Sequence, residues 1–421
     1  MKFLFTTICL FMTGILFSQQ VQLLTLDRAQ ELARKNYPTI NREKLIQQAA
    51  AANMDILQKG FLPQLNLTAQ ASYQSDVTQI GISLPGLNIQ PPSRDQYRIV
   101  TDINQLFYDG GAIKIKKELQ QLNASAEEQK LEIELYQVRE KINQLFLGIL
   151  LIDQQLKQAG LLEEDIRSGI KKLDAQVQNG TAFRASLDLL KAELLKNDQR
   201  KIELASARKG WIGSLSLFTG LAPTNEIRLE MPVSSAFDSM ISRPELKFYE
   251  QQLSFLNTQE KMIDAGLRPR ASLFAQAGYA KPGLNLLKNE FAVFYIAGIR
   301  WNWNLSNFYN RKKDRELVEL NKSTIESQKQ SFLLQTNAQL IQLASEIEKF
   351  RAILAADREI IDLRHSITQT AKAQLENAVI TATDYLLQIN AEDQARQQKI
   401  YHEIQLLQAQ VNYQTTLTGK F

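Results

Sequence analysis

The clearest pattern in the chain is a strict alternation of apolar and polar side chains over residues 65–73. The apolar members, which would share one face of a strand, are Leu65, Leu67, Ala69, Ala71 and Tyr73. A period of two residues is typical of a half-exposed β-strand. Similar alternation recurs further along, so the pattern predicts four strands, over residues 64–75, 97–107, 270–280 and 293–305.

Outside the strands, the apolar positions follow a helical period instead. Residues 112–178 and 311–377 contain no proline, and apolar residues from Leu131 to Ala159 recur at alternating steps of four and three. This pattern predicts a coiled-coil seam, and helices of this length would each extend about 100 Å. A turn and a return helix follow each long helix, so we expect helical hairpins over residues 112–218 and 311–418.

The whole arrangement occurs twice along the chain. Pro38 and Pro63 align with Pro244 and Pro269 at a single offset, since 244 − 38 and 269 − 63 are both 206. Such a duplication predicts two structural repeats. We place the first repeat at residues 19–222, a linker at 223–242, and the second repeat at 243–421. Each repeat comprises an approach helix, two strands and a long helical hairpin.

Strands with one apolar face leave two architectures open. A soluble sheet would cover that face with a protein core, which would make the chain a secreted coiled-coil structural or adaptor protein without a pore. A barrel would present the apolar face to lipid and keep the polar face inside. The helices use their apolar residues along their own seams, which favours the barrel. A membrane barrel needs about eight strands and no free edge, so four strands per chain require a dimer of eight or a trimer of twelve.

Composition narrows the class of protein. Lys2 and an apolar run to Phe17 predict a signal peptide over residues 1–18, whose removal takes away Cys9, the only cysteine. The net charge of +4 comes from interleaved charges of both signs, which disfavours a nucleic-acid interface. With two histidines and no phosphate-binding loop or nucleophile motif, we predict no enzyme activity, no catalytic residues, no cofactor and no metal site.

Several motifs resemble, in their order and spacing, those of the TolC-type outer-membrane efflux proteins. They are NYP at 36–38, GFLPQLNLTAQASY at 60–73, LFYDGG at 106–111 and NGTA at 179–182, within a plan that is repeated. The resemblance implies a fold that is mainly α with a β-barrel portion. It implies a homotrimer whose twelve strands complete an outer-membrane barrel and whose long coiled-coil hairpins form a periplasmic α-barrel.

The same resemblance implies a function and partners. It indicates the outer-membrane export channel of a tripartite efflux or type I secretion system in a Gram-negative-type bacterium, acting as a passive duct. The expected partners are a periplasmic adaptor (membrane fusion) protein, an inner-membrane RND or ABC transporter, and outer-membrane lipid. A general diffusion porin is disfavoured because the long helices would have no use.

The resemblance also points to candidate gate residues at the periplasmic tip of the tunnel. Asp384 falls at the position of a family aspartate ring, whereas Ile380 and Leu387 stand where the family has an arginine and a second aspartate. These two departures weaken the expectation of a strongly charged gate. The equivalent candidates in the first half of the chain are Asp188 and Ser186.

Asp384 has an alternative role that the sequence leaves open. A ring of three carboxylates would attract cations and repel its own members. A carboxylate beside Thr383 at the start of the return helix could instead cap that helix, an interaction that stabilises a helix by about 1 kcal/mol. One residue can serve both purposes.

The polar faces of the strands are expected to line the barrel lumen. An alternative for the arginines among them is an ion pair with a carboxylate on a neighbouring strand. The lumen candidates are Arg98, Asp102, Asn104, Arg300, Asn302 and Asn304.

Overall fold

The computed structural model describes residues 23–78, 91–223, 227–232, 240–377 and 379–418. The predicted signal peptide and Cys9 lie outside these residues. In chain order, the elements are β1 (Leu23–Leu24), α1 (Leu26–Asn36), α2 (Asn41–Lys59), β2 (Gln64–Tyr73), β3 (Asp95–Tyr108), α3 (Ala112–Gln178), α4 (Arg184–Thr219), β4 (Arg228–Leu229), α5 (Pro244–Gly266), β5 (Arg270–Lys281), β6 (Ala292–Asn302), α6 (Asn307–Glu376) and α7 (Ala382–Leu417).

The approach helix predicted for the first half is interrupted. Its two parts, α1 and α2, are separated by a short 3₁₀ turn over Pro38–Ile40. Tyr37, the residue before the proline, is extended at φ −69° and ψ 126° because the proline ring disfavours the helical conformation there. The prediction of one continuous helix was therefore wrong at Pro38. In the second half α5 has no such break, since Pro244 is its first residue.

The turn from strand to long helix depends on glycine and aspartate. Gly110 and Gly111 both have positive φ, 73° and 90°, which side chains other than that of glycine rarely allow. The buried carboxylate of Asp109 accepts hydrogen bonds from the backbone N–H groups of Gly111, at 2.8 Å, and of Ile113. These bonds satisfy two donors that the start of α3 would otherwise leave unpaired.

The helices form a layer that is four columns wide. α3 and α6, with 67 and 70 residues, each extend about 100 Å. The shorter helices stack beside them, with α2 and α5 next to the sheet and α4 and α7 beyond, in the order α2/α4, α3, α5/α7, α6. Ion pairs join the columns, including Lys261 to Glu118 at 2.8 Å and Arg315 to Asp264 at 2.7 Å.

The largest apolar cluster lies near the middle of α3. Phe146 and Ile142 have no exposed surface, and they pack against α1 and the last turns of α4 and α7. The parallel pair β1 and β4 lies beside this cluster, and β4 falls within the predicted linker. A buried polar chain crosses it, in which Gln30 donates to Asn143 and Asn143 donates to Thr415, at 2.5 and 3.1 Å.

The four long strands form one antiparallel sheet in the order β2-β3-β5-β6. β2 and β6 are therefore the terminal strands, one from each half of the chain. The last strand is shorter than predicted and ends at Asn302. Asn304 already belongs to the turn into α6, where its side-chain oxygen accepts a hydrogen bond from the backbone N–H of Ser306 at 3.2 Å. This turn explains why α6 begins at Asn307 rather than at residue 311.

Candidate functional site

One face of the sheet is apolar and open to solvent in the single chain. The register places Ala69 beside Ile99, Ile99 beside Tyr279, and Tyr279 beside Val293, so apolar residues of all four strands share this face. Ile99 is 53% exposed and Val293 is 80% exposed. A continuous apolar surface of this kind marks contact with a partner or with lipid.

The opposite face carries most of the predicted lumen residues. Five of the six predicted lumen residues lie on this face: Arg98, Asp102, Asn104, Arg300 and Asn302. Asn304 is not among them because it lies beyond the end of β6.

Among the described residues, neither Arg98 nor Arg300 forms an ion pair with a carboxylate of a neighbouring strand, which was the alternative to a free lumen position. Asp102 accepts a short hydrogen bond from the side-chain amide of Gln276 on β5. The Arg98 guanidinium lies 5.5 Å from the ring centroid of Phe294, and that of Arg300 lies 4.7 Å from the ring centroid of Phe274. Arg300 therefore lies over a ring of the neighbouring strand β5, and Arg98 lies over a ring of β6, the strand beyond its neighbour β5.

Sequence analysis did not identify these two phenylalanines, although the strand pattern contains a signal for them. Each faces a glycine directly across the strand pair: Phe274 faces Gly298, and Phe294 faces Gly278. A Cβ atom at Gly298 would lie 3.0 Å from the Phe274 ring, so the ring occupies space that only glycine leaves free. A glycine inside a strand indicates such a close approach, but the partner depends on the register.

At the far end of the helical hairpins, Asp384 caps α7. Its carboxylate accepts hydrogen bonds from the backbone N–H of Thr381 at 3.1 Å and from the Thr381 hydroxyl at 2.6 Å. In return, the Thr381 hydroxyl oxygen accepts from the backbone N–H of Asp384 at 3.2 Å. This is a capping box, and the N-cap is Thr381 rather than a residue beside Thr383. The Thr381 hydrogen bonds lower the pKa of Asp384.

The first hairpin lacks this cap. α4 begins at Arg184 and α7 at Ala382, so equivalent positions differ by 198 (382 − 184), and Ser186 matches Asp384 (384 − 186 = 198). The Ser186 backbone N–H donates to the carbonyl of Phe183 at 3.0 Å, and no side chain caps this helix.

The other tip candidates differ in exposure. Leu387 is 65% exposed, whereas Ile380 packs against a buried cluster shared by the two hairpins. Asp188 is exposed and stands two residues further along α4 than the equivalent of Asp384.

A buried tyrosine joins the two hairpins behind the tip. Tyr385 is 1% exposed and lies in an apolar cluster with Ile166 and Leu173 of α3, Leu190 of α4 and Leu375 of α6. Burial raises the pKa of Tyr385 to about 12, so the phenol stays neutral. The cluster contains residues of all four helices of the tip and holds the hairpins together.

Further from the tip, buried carboxylates of α7 bind side chains of the other three helices. Asp393 accepts hydrogen bonds from Gln158 of α3 at 3.0 Å and from Arg200 of α4 at 3.3 Å. Glu392 is 2.9 Å from Nδ1 of His365 on α6. Burial acts to raise the pKa of Glu392, but hydrogen bonds from Arg396 and His365 outweigh it and lower that pKa overall.

Both histidines thus take part in contacts between helices, since His402 lies 2.7 Å from Asp357. Within the described part of the chain, no group of three or more His, Cys, Asp or Glu side chains is arranged to hold a metal ion. Across the same residues, none of the helices combines the length and the apolar character needed to cross a membrane.

Known structures share this fold over almost the whole chain. CusC matches with a TM-score of 0.69 and 14% identity, over 94% of this chain and 92% of that chain. VceC from Vibrio cholerae matches with a TM-score of 0.68 and 13% identity, over 94% and 97%. The open state of MtrE from Neisseria gonorrhoeae matches with a TM-score of 0.67 and 12% identity, over 94% of this chain and 89% of that chain. The fold is therefore that of the matched outer-membrane channels, and the predicted fold class is confirmed.

A family model matches a little under half of the chain. Residues 29–215 match the family model described as outer membrane efflux protein, which confirms the resemblance to the TolC-type efflux proteins. The matched family and structures support an outer-membrane export channel, and the matched proteins are passive channels rather than enzymes. No curated protein matches the sequence significantly.

Proposed function

We propose that three copies of this chain form the passive outer-membrane duct of a tripartite efflux or type I secretion system. The observation that carries this proposal is the sheet: it presents a largely exposed apolar face and ends in two strands, β2 and β6, that each have one free edge. Free strand edges are not tolerated in lipid. Pairing β2 of one chain with β6 of the next removes both edges, and three copies of a four-stranded sheet give twelve strands.

The helical layer supports the same closure. Leu195 and Ile202 of α4 are 66% and 69% exposed, and Leu334 and Ile341 of α6 are 72% and 71% exposed. Each pair is seven residues apart, which is the repeat of a coiled-coil seam. α4 and α6 are the outer columns of the layer, on the same sides as β2 and β6. A neighbouring chain that pairs its sheet edge also brings its α6 stripe against this α4 stripe.

The sequence contains no phosphate-binding loop that could use a nucleotide to drive transport, so the energy for export has to come from a partner protein. Channels of this family generally act as trimers with an adaptor and an inner-membrane pump. For this chain we propose a periplasmic adaptor protein and an RND or ABC transporter as partners. The sheet would lie in the outer membrane, and the helical layer, about 100 Å long, would extend through the periplasm.

The tips of the hairpins would form the gate of this duct. Three copies of α7 would bring Asp384 and the exposed Leu387 to the axis, with Ile380 packed behind them. Asp188 and Ser186 would stand at the same level on α4. Because Asp384 is bonded to Thr381, we propose that it caps the helix and contributes a fixed negative charge, while Leu387 supplies an apolar constriction.

Two measurements on the mature protein test this function together. Native mass spectrometry in detergent should give a trimer, and the same preparation should form stable channels in a planar bilayer. A monomer that stays soluble without detergent would contradict the proposal and favour the secreted coiled-coil alternative. Replacing Leu195 and Ile202 with glutamate should dissociate the trimer if the α4 stripe faces a neighbouring chain.

A further inference from the structure

The polar face of the sheet carries an excess of positive charge. Arg98, Arg270 and Arg300 all belong to this face, because the register pairs them with Ala280, Asn302 and Ser272. The acidic strand residue on the same face is Asp102, so the net charge of the strand residues on this face is +2 per chain (3 − 1). Three copies around one axis would therefore bring a charge of +6 into the barrel.

Nearby charges do not cancel this excess. Residues 79–90, which lie outside the described residues, contain no charged side chain. The remaining residues of the two loops between strands contribute Asp76 and Arg94 in the first and Lys288 and Glu290 in the second, which balance. Asp102 is hydrogen-bonded to the neutral amide of Gln276 rather than to an arginine.

Two of the arginines are held in defined positions. Arg98 stacks on Phe294 and Arg300 stacks on Phe274, and each phenylalanine lies over a glycine of the facing strand. A cation–π contact of this kind uses the charge of the guanidinium and none of its five N–H donors. Both arginines are exposed in the single chain, so those donors remain available to an anion.

The two arginines lie at different heights in the barrel wall. Arg98 stands level with Ala280 near the loop end of β5, and Arg300 stands level with Ser272 near its helical end. Asp102 lies between these levels, beside Gln276. In a closed trimer, each arginine would become a ring of three guanidinium groups, one near each mouth of the barrel.

We propose that these rings make the barrel selective for anions, so that the preferred cargo is a small organic anion such as a carboxylate, sulfonate or phosphate ester. Rings of arginine or lysine select anions in other pores, and a narrow passage lined by one sign of charge raises the local concentration of counter-ions. The inference rests on the proposed trimeric channel. It assigns selectivity to the barrel rather than to the tip, where Asp384 carries the opposite charge.

The test is the reversal potential of the channel in a planar bilayer under a gradient of KCl. The wild-type channel should favour chloride. Arg98→Gln with Arg300→Gln should shift the reversal potential towards that of potassium, whereas Arg98→Lys with Arg300→Lys should keep the chloride preference because the charge is retained. Asp102→Asn should shift it in the opposite direction, towards chloride, and provides a second measurement if the double variant does not fold.

The outcomes separate this inference from the proposed function. If the protein forms no trimer and no channel, both fail together. If it conducts but the arginine and aspartate variants leave the reversal potential unchanged, the duct stands and the anion preference is wrong. An Asp384→Asn variant that alone moves the reversal potential would likewise overturn the inference, because it would place selectivity at the tip.

Discussion

Tyr385 of α7 packs directly against the backbone of α3 at Gly169. A Cβ atom on Gly169 would lie 3.3 Å from Cε1 of the tyrosine ring and 3.5 Å from a methyl group of Leu190. The ring therefore fills a space that the absent side chain leaves open, and it connects the second hairpin to the first. Opening of the tip by movement of α7 away from α3 has to break this contact.

Replacing Tyr385 with alanine should loosen the tip. Loss of a buried aromatic ring costs about 3–5 kcal/mol when the surroundings do not collapse, so the thermal midpoint of the trimer in detergent should fall. The conductance in a planar bilayer should rise, because the hairpins separate more easily. Tyr385→Phe is the matched control, since it keeps the ring and should leave both quantities close to the wild-type values. Equal behaviour of the two variants would show that the ring does not hold the tip closed.

A second close approach, between Gly148 of α3 and Trp211 of α4, leads to a stability prediction. A Cβ atom on Gly148 would overlap the six-membered ring of Trp211. Gly148→Ala should therefore push the indole outwards and destabilise the protein by about 1–3 kcal/mol, the usual effect of overpacking. Chemical denaturation followed by tryptophan fluorescence measures it.

The control for this variant lies on the same helix. Apart from its two chain neighbours and the backbone of its own helical turns, no described residue has a heavy atom within 4 Å of a Cβ placed on Gly160. Gly160→Ala should therefore be neutral or stabilise the helix by up to about 1 kcal/mol, since alanine favours helix over glycine. If both substitutions had the same effect, backbone propensity rather than the Trp211 contact would explain it.

The regular parts of the fold could be predicted because their periods are strict. α3 begins at Ala112 and ends at Gln178, between the Gly110-Gly111 turn and Gly180, which has a positive φ of 73°. Glycine turns of this kind are visible in a sequence. By contrast, the break at Pro38 was missed because the helical pattern continues across it, and the two-residue strands β1 and β4 are too short to show any period.

The candidate site was less accessible from sequence because it depends on contacts between elements. Arg98 and Phe294 are almost 200 positions apart in sequence, and only the register of three strands brings them together. The cap of α7 is local, but Thr381, Thr383 and Asp384 all have suitable side chains, and the helix start decides among them. The shared tip cluster has no local signal, since its members come from four helices.

The capping box at Thr381 makes the stability of the tip depend on pH. The folded-state pKa of Asp384 is lowered from 3.8, so its contribution is fully present above that value and is lost as the pH falls through the folded-state pKa. Asp384→Ala should therefore be less stable than wild type at neutral pH, and the difference should disappear in strongly acidic solution. Thermal unfolding of both proteins across that pH range measures it.

Two variants act as controls for the pH prediction. Thr381→Ala should lower the free energy of unfolding by about 1 kcal/mol through the loss of an N-cap. Part of this difference should persist in acid, because in the wild-type protein the Thr381 hydroxyl still accepts a hydrogen bond from the Asp384 N–H when the carboxylate is protonated. Asp188→Ala, on the helix without a side-chain cap, should leave the thermal stability at neutral pH close to that of wild type. A constant difference between Asp384→Ala and wild type at every pH would mean that the carboxylate is not the titrating group.

The assignment of the two sheet faces predicts that arginine has different effects at two nearby positions of β2, one on each face. Leu67 belongs to the apolar face and is 70% exposed, whereas Gln70 belongs to the face of Arg98, with which it pairs. Arginine at Leu67 should impair membrane insertion by about 2–4 kcal/mol if the position lies near the middle of the bilayer. Arginine at Gln70 should be tolerated, because it would face water and add a further positive charge to the lumen. Folding into lipid vesicles, followed over a denaturant titration, gives both free energies, and equal losses for the two variants would mean that the apolar face of the sheet is not the one in contact with lipid.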